Sequence, residues 1–171
     1  MINSIFKYLS LLAIIMLGSY AQTVAQSTAT ASTTATIVTP ISIAKTVDMV
    51  FGNIATNGAV GTVTLLTDGS RTSTGGVTLP ATTGSPTAAA FVVTGSGSFT
   101  YSISLPGSAI TLAGTTAGVT VGTFTSNPTP TGTLTAGTQT IYVGATLNLP
   151  VSTVAGSYTN AAGLSVTVNY N

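Results

Sequence analysis

The chain has 171 residues, of which 3% are charged: three Lys or Arg and two Asp, with no Glu and no His. Cys and Trp are absent too. This excludes disulfides, thiolate chemistry and the usual zinc and copper ligands, and a formal charge of +1 leaves no basic footprint for nucleic acid.

The first segment reads as an export signal. Lys7 precedes an apolar run from Tyr8 to Leu17, and the small residues Gly18 and Ser19 follow. That order is the charged region, apolar region and small-residue cleavage site of a secretory signal peptide. The run is too short to cross a bilayer, which takes about 20 apolar residues. Cleavage fits before Gln22 or before Gln26. The second is preferred, giving a signal peptide over residues 1–25. No Cys follows the run, which excludes a lipoprotein, and no second apolar stretch predicts a membrane helix.

Residues 26–36 alternate Ala with Thr or Ser. As an extended strand they would place Ala29, Ala31, Thr33, Ala35 and Ile37 on one face. Ala buries too little area to anchor a core at about 25 cal/mol per Å2. Three readings stay open: a flexible leader, a first strand of the chain's own sheet, or a strand that completes a neighbouring subunit.

Residues 37–171 read as one β domain. Phe99, Tyr101, Ile103 and Leu105 alternate with polar residues, as do Leu164, Val166, Val168 and Tyr170. A period of two places these side chains on one face of a half-buried strand. Shorter alternations occur at Ile41/Ile43, Met49/Phe51, Val63/Leu65, Phe91/Val93, Ile110/Leu112, Val119/Val121, Ile141/Val143 and Ala145/Leu147/Leu149. Thr on the outer face has good β-propensity and stays polar.

Turn signals separate the runs: Asn57-Gly58, Asp68-Gly69, Gly75-Gly76, Pro106-Gly107, Asn127-Pro128 and Ala155-Gly156-Ser157. Eight to ten short strands without helical periodicity predict an all-β fold, an antiparallel immunoglobulin-like β-sandwich. The expected core includes Phe91, Phe99, Tyr101, Ile141, Val143, Val166 and Val168. An outer-membrane barrel is the rival, but it needs strands of about nine to eleven residues, and most runs here are shorter.

Four charges remain after residue 25, and they cancel: Lys45, Asp48, Asp68 and Arg71. Spacing pairs Lys45 with Asp48 and Asp68 with Arg71. Two Asp residues so committed cannot serve as a paired-carboxylate hydrolase. A Ser nucleophile has no His, and no Ser-x-x-Lys occurs. Gly95-Ser96-Gly97-Ser98 lacks the Lys and helix of a phosphate loop and reads as a hairpin turn. Asp68-Gly69-Ser70 offers one carboxylate where a calcium site takes several oxygens. Tyr101, Tyr142, Tyr158 and Tyr170 suit either a sugar-binding face or strand positions with rings in the core and hydroxyls at its edge. The second is favoured. No catalytic, cofactor-binding or metal-binding residue is assigned, and no cofactor is expected.

The blocks Thr39-Pro40-Ile41-Ser42-Ile43, Met49-Val50-Phe51-Gly52, Ser70-Arg71-Thr72 and Ala90-Phe91-Val92-Val93-Thr94-Gly95 run in order. So do Tyr101-Ser102-Ile103, Gly132 to Gln139, Tyr142 to Leu147, Ala155-Gly156-Ser157-Tyr158 and Val166 to Tyr170. In this series the chain resembles a bacterial secreted family known as domain of unknown function 4402. The resemblance implies an exported β-sandwich and no known activity. A more distant likeness, through Gly156-Ser157-Tyr158, the last alternating run and Tyr170, is to pilin and spore-coat subunits of chaperone–usher type. Those complete an open sandwich with a strand from the next subunit. This chain lacks their disulfide, and its extension carries Ala where they carry bulky anchors.

The expectation is an exported non-catalytic structural or surface protein, secreted or at the cell surface, with the periplasm as a further location. It would be a subunit of a fimbria, coat or matrix. The alternative is a secreted module that binds a glycan or another partner. Partners would be further copies or other surface proteins, met through sheet edges. No nucleic acid is expected, and after signal cleavage no integral membrane segment.

Overall fold

The computed structural model describes residues 25–160 and 162–171. The expected signal peptide therefore lies outside the described residues, except for Ala25. Two compact units divide the chain, residues 1–36 and 37–171. In the first, residues 25–36 carry no regular structure and their side chains are exposed.

The second unit is an all-β, antiparallel sandwich. Its strands are β1 (Ser42–Val47), β2 (Ala55–Leu65), β3 (Arg71–Thr78), β4 (Ala89–Thr94) and β5 (Thr100–Ser104). Then come β6 (Ile110–Thr111), β7 (Thr120–Asn127), β8 (Thr131–Thr133), β9 (Thr138–Leu149) and β10 (Thr167–Tyr170). The larger sheet runs β1-β4-β9-β2-β3, with β7 on β9 and β6 on β7; the smaller runs β10-β5-β8.

Strand β9 is the spine. The two expected runs around Ile141 and Leu147 fuse into one 12-residue strand. β7 follows one edge of it, from Tyr142 to Asn148. β4 takes the first half of the other edge, Thr138 to Val143, and β2 takes the second half, Ala145 to Leu149. The change falls at Gly144, where a Cβ would run into the Leu65 carbonyl oxygen. Only a residue without a side chain lets the two partners share this edge.

The two halves of β9 serve two cores. Ala89, Phe91 and Val93 from β4 and Ile141 and Val143 from β9 meet Tyr101 of β5, Leu134 and Val168 of β10. This is sheet on sheet, with alternate residues pointing inward. The second core gathers Val63, Val77, Val119, Val121, Ala145, Leu147 and Leu149. No strand faces it. Loop residues Met49, Phe51 and Ile54, with Leu79 and Tyr158, pack against it instead.

Hydroxyl side chains on the outer faces pair with one another. Ser42 and Thr94 hydroxyls lie 2.6 Å apart, Thr62 and Thr74 2.8 Å, and Thr64 and Thr146 3.3 Å. Each pair sits directly opposite in register, the position from which cross-strand hydroxyls bond. An uncharged surface is thus both wetted and knitted.

Several expectations need correction. Phe99 is 46% exposed, with its ring tilted against Tyr170 at a centroid distance of 5.7 Å. It precedes β5, so the alternation that fixes Tyr101 inward does not govern it. Val166 is half-buried, just ahead of β10. Met49 to Phe51 forms no strand, only a bridge in which Val50 and Thr87 exchange bonds of 2.9 Å. Gly52, at φ +70°, ends that extension. Gly95 to Ser98 forms no hairpin, since β4 and β5 belong to different sheets.

Two of the turn signals face each other. Asn57-Gly58 lies inside β2 and Gly75-Gly76 inside β3. The register jumps from Thr56↔Val77 to Gly61↔Gly75, so residues 57–60 bulge opposite Gly76. Asn57 Oδ1 accepts the Ala59 N–H at 3.0 Å. A Cβ on Gly76 would strike that same Asn57 oxygen and Ala59.

Candidate functional site

The unfaced core leaves a cleft of about 1260 Å3. Its floor is apolar: Phe91 of β4, Ile110 of β6, Val119, Val121 of β7, and Leu147 and Leu149 of β9. One wall is the segment from Val47 to Thr56, and the other is the long connection from Thr153 to Asn160 with Leu164. The floor has this character because β7 and β9 keep their inward alternation past the point where the small sheet stops.

Side-chain bonds hold the walls in place. Tyr158 donates to the Val154 carbonyl at 2.7 Å and accepts the Thr116 N–H at 3.2 Å. Asn160 Nδ2 donates to the Thr111 carbonyl at 2.8 Å. Ala113 and Thr159 exchange backbone bonds of 2.7 and 2.9 Å. On the other wall, Arg71 donates to the carbonyls of Phe51 and Asn53, the latter at 3.1 Å. A guanidinium that caps two carbonyls there pins the loop carrying Met49, Phe51 and Ile54 over the second core.

That use of Arg71 corrects the expected Asp68–Arg71 pair. Asp68 instead closes its own turn, with Oδ1 accepting the Ser70 N–H at 2.9 Å and the Ser70 hydroxyl at 2.6 Å. The hydroxyl, then the N–H, holds its carboxyl below the usual carboxylate range. Lys45 and Asp48 do pair, both largely exposed at the rim of the cleft. An ion pair this exposed is worth little, about 0–1 kcal/mol.

Two of the four tyrosines, Tyr101 of β5 and Tyr170 of β10, follow the strand reading. Tyr101 is fully buried, and its hydroxyl donates to Gln139 Oε1 at 2.7 Å. The same oxygen accepts the Thr133 N–H at 2.8 Å, so Gln139 ties β8 and β9 to the buried ring. Burial pushes the Tyr101 hydroxyl above its ordinary pKa. Tyr170 accepts the Ser96 N–H at 2.7 Å and donates to the Thr39 carbonyl at 2.9 Å. Tyr158 departs from that reading: it lies on the cleft-wall loop, outside every strand, and packs against the second core. Tyr142 departs in the other way: it stands on β9 but is 46% exposed on the outer face.

The roles of Gln139 and Asn160 were not foreseen. Amides carry no local signature for a distant partner. Among the described residues, no group of three or more His, Cys, Asp or Glu comes together. No helix of the described residues is long and apolar enough to cross a membrane.

A family known as Domain of unknown function (DUF4402) matches residues 41–170, and the chain belongs to that family. The comparisons with curated proteins and with solved structures gave no match.

Proposed function

We propose that this protein is an exported, non-catalytic structural subunit, assembled with further copies into a fimbria, coat or matrix. The observation that supports it is the half-covered sandwich: a long sheet whose second apolar core has loops and a cleft where its first has a facing sheet. The likeness to chaperone–usher pilin and spore-coat subunits points the same way, since those complete an open sandwich with a neighbour's strand.

Sheet edges serve assembly poorly here. The outer strand β1 carries Lys45 and a bulge after it. The outer strand β3 is bent opposite the bulge of β2. The small sheet ends in strands of three and four residues. Charged, bulged and short edges resist edge-to-edge pairing. Residues 26–36 of a second copy fit the cleft better. They are uncharged and exposed, with no regular structure of their own, and their small side chains would lie across the apolar floor of the cleft.

The test is the size of the chain starting at Gln26, with and without residues 26–36, by light scattering. Polymers that become monomers on deletion are expected. Monomers from both chains at all concentrations would overturn the proposal.

A further inference from the structure

A second hollow, of about 550 Å3, lies on the outer face of the large sheet, away from both cores. Strand register builds it. Val47 of β1 pairs with Ala90 of β4, Ala90 with Tyr142 of β9, and Tyr142 with Asn127 of β7. Residues directly opposite share a face, so these four form one row across four strands. Ala90 is small and buried and forms the floor. Tyr142 rises beside it at 46% exposure, and Val47 at 40% stands on the other side. The β2–β3 turn brings Asp68 to the rim, and Thr87 joins from the chain before β4.

We propose that this hollow binds a neutral saccharide, with one sugar ring stacked on Tyr142. The chemistry fits term by term. A pyranose has an apolar C–H face and a rim of hydroxyls. A tyrosine ring offers a flat apolar surface with little conformational entropy to lose. Asn127 supplies an amide that both donates and accepts, and Asp68 supplies a carboxylate that only accepts. Ser70 already fixes the Asp68 carboxylate through Oδ1, so it is oriented before any ligand arrives. A mostly apolar hollow with a few placed polar groups is the usual form of a small-ligand site. Among the described residues, Asp68 is its one charged lining residue, which disfavours an anionic sugar. A calcium ion would need several oxygens more than this carboxylate offers.

The inference goes beyond the structural proposal and stands whether or not the chain polymerises. Without Trp the emission is that of the tyrosines, so the part of a ligand-induced change that Tyr142→Phe removes reports the site, and calorimetry gives the affinity. The probes are maltotriose, cellotriose and chitotriose, each titrated into the chain starting at Gln26. Saturable binding of at least one is expected, weakened about tenfold or more by Tyr142→Ala. Asp68→Asn should weaken it less, and Tyr142→Phe should retain it. Phe99→Ala removes an exposed aromatic elsewhere and should leave it unchanged. No saturation by any of the three sugars at tens of millimolar overturns the inference. So does binding that Tyr142→Ala leaves intact, because the site would then lie elsewhere.

Discussion

Strand β9 offers an internal comparison. Its first half, Thr138 to Val143, and its second, Ala145 to Leu149, share one backbone, one partner strand in β7 and one alternation of side chains. Over the first half a second sheet closes the core, with Tyr101, Leu134 and Val168 facing Ile141 and Val143. Over the second, loops and a cleft do that work. The difference teaches that alternation decides which face is apolar, while a separate part of the chain decides what covers it.

Core truncation should break the two halves apart most clearly. Ile141 is fully buried between sheets, so Ile141→Ala should cost about 3–5 kcal/mol in urea unfolding. Leu147→Ala removes a similar side chain beneath the cleft, and should cost about 2 kcal/mol, the low end for such a change. There the void merges with space already present, and loops can settle into it. Equal costs would mean that the loops pack as tightly as a sheet.

Glycine substitutions sharpen the contrast next. A Cβ on Gly132 would press into the Tyr101 ring and Gln139, inside the closed half. Gly132→Ala should cost about 1–3 kcal/mol, as overpacking does. Gly122 in β7 is a useful control, because a Cβ there meets only Ala109, at 3.3 Å. Gly122→Ala should cost less than Gly132→Ala in the same assay. The reverse order would move the tight packing to the wrong half.

How much of this was legible follows from the same contrast. The export pattern aside, the strands that alternate cleanly could be read: Phe91/Val93, Tyr101/Ile103, Val119/Val121 and the two runs of β9. Strands β3 and β8 could not. β3 holds Gly75-Gly76, which reads as a turn until Asn57 is seen bulging against it. β8 has three residues, too few for an alternation to show. The cleft was not legible either. Its floor residues look like any core, and only the folded chain shows that, among the described residues, loops rather than the smaller sheet pack against them. Arg71 misled because spacing favours a neighbour as partner, while the two carbonyls it reaches lie about twenty residues back in the chain.

Alkaline pH should weaken the closed half. Tyr101 has a raised pKa through burial, so the folded chain holds that proton more tightly than the unfolded chain. Its contribution is complete below the unfolded value near 10 and is lost as pH climbs through the folded one. Urea midpoints should start to fall above about pH 10. Tyr101→Phe should make that fall shallower, at a cost near neutral pH of about 1 kcal/mol for the lost bond to Gln139. A decline unchanged in Tyr101→Phe would assign it to another group.

The smallest effect lies outside both cores, at Asp68 in the β2–β3 turn. The Ser70 hydroxyl and N–H hold its pKa down in the folded chain. The sign is opposite to that of Tyr101: the contribution is present above the unfolded value near 3.9 and is lost as pH falls through the folded one. Asp68 lies in solvent, so the change in stability should be slight, and the titration itself is the better readout. By carboxyl-resonance NMR, Ser70→Ala should move the Asp68 pKa up toward the ordinary value. The N–H bond survives that substitution, so part of the depression should persist. If Asp68 instead titrates in the parent chain like an unperturbed carboxylate, the turn does not hold it. The carboxylate would then meet a sugar at the Tyr142 hollow unoriented, and Asp68→Asn should cost that binding nothing.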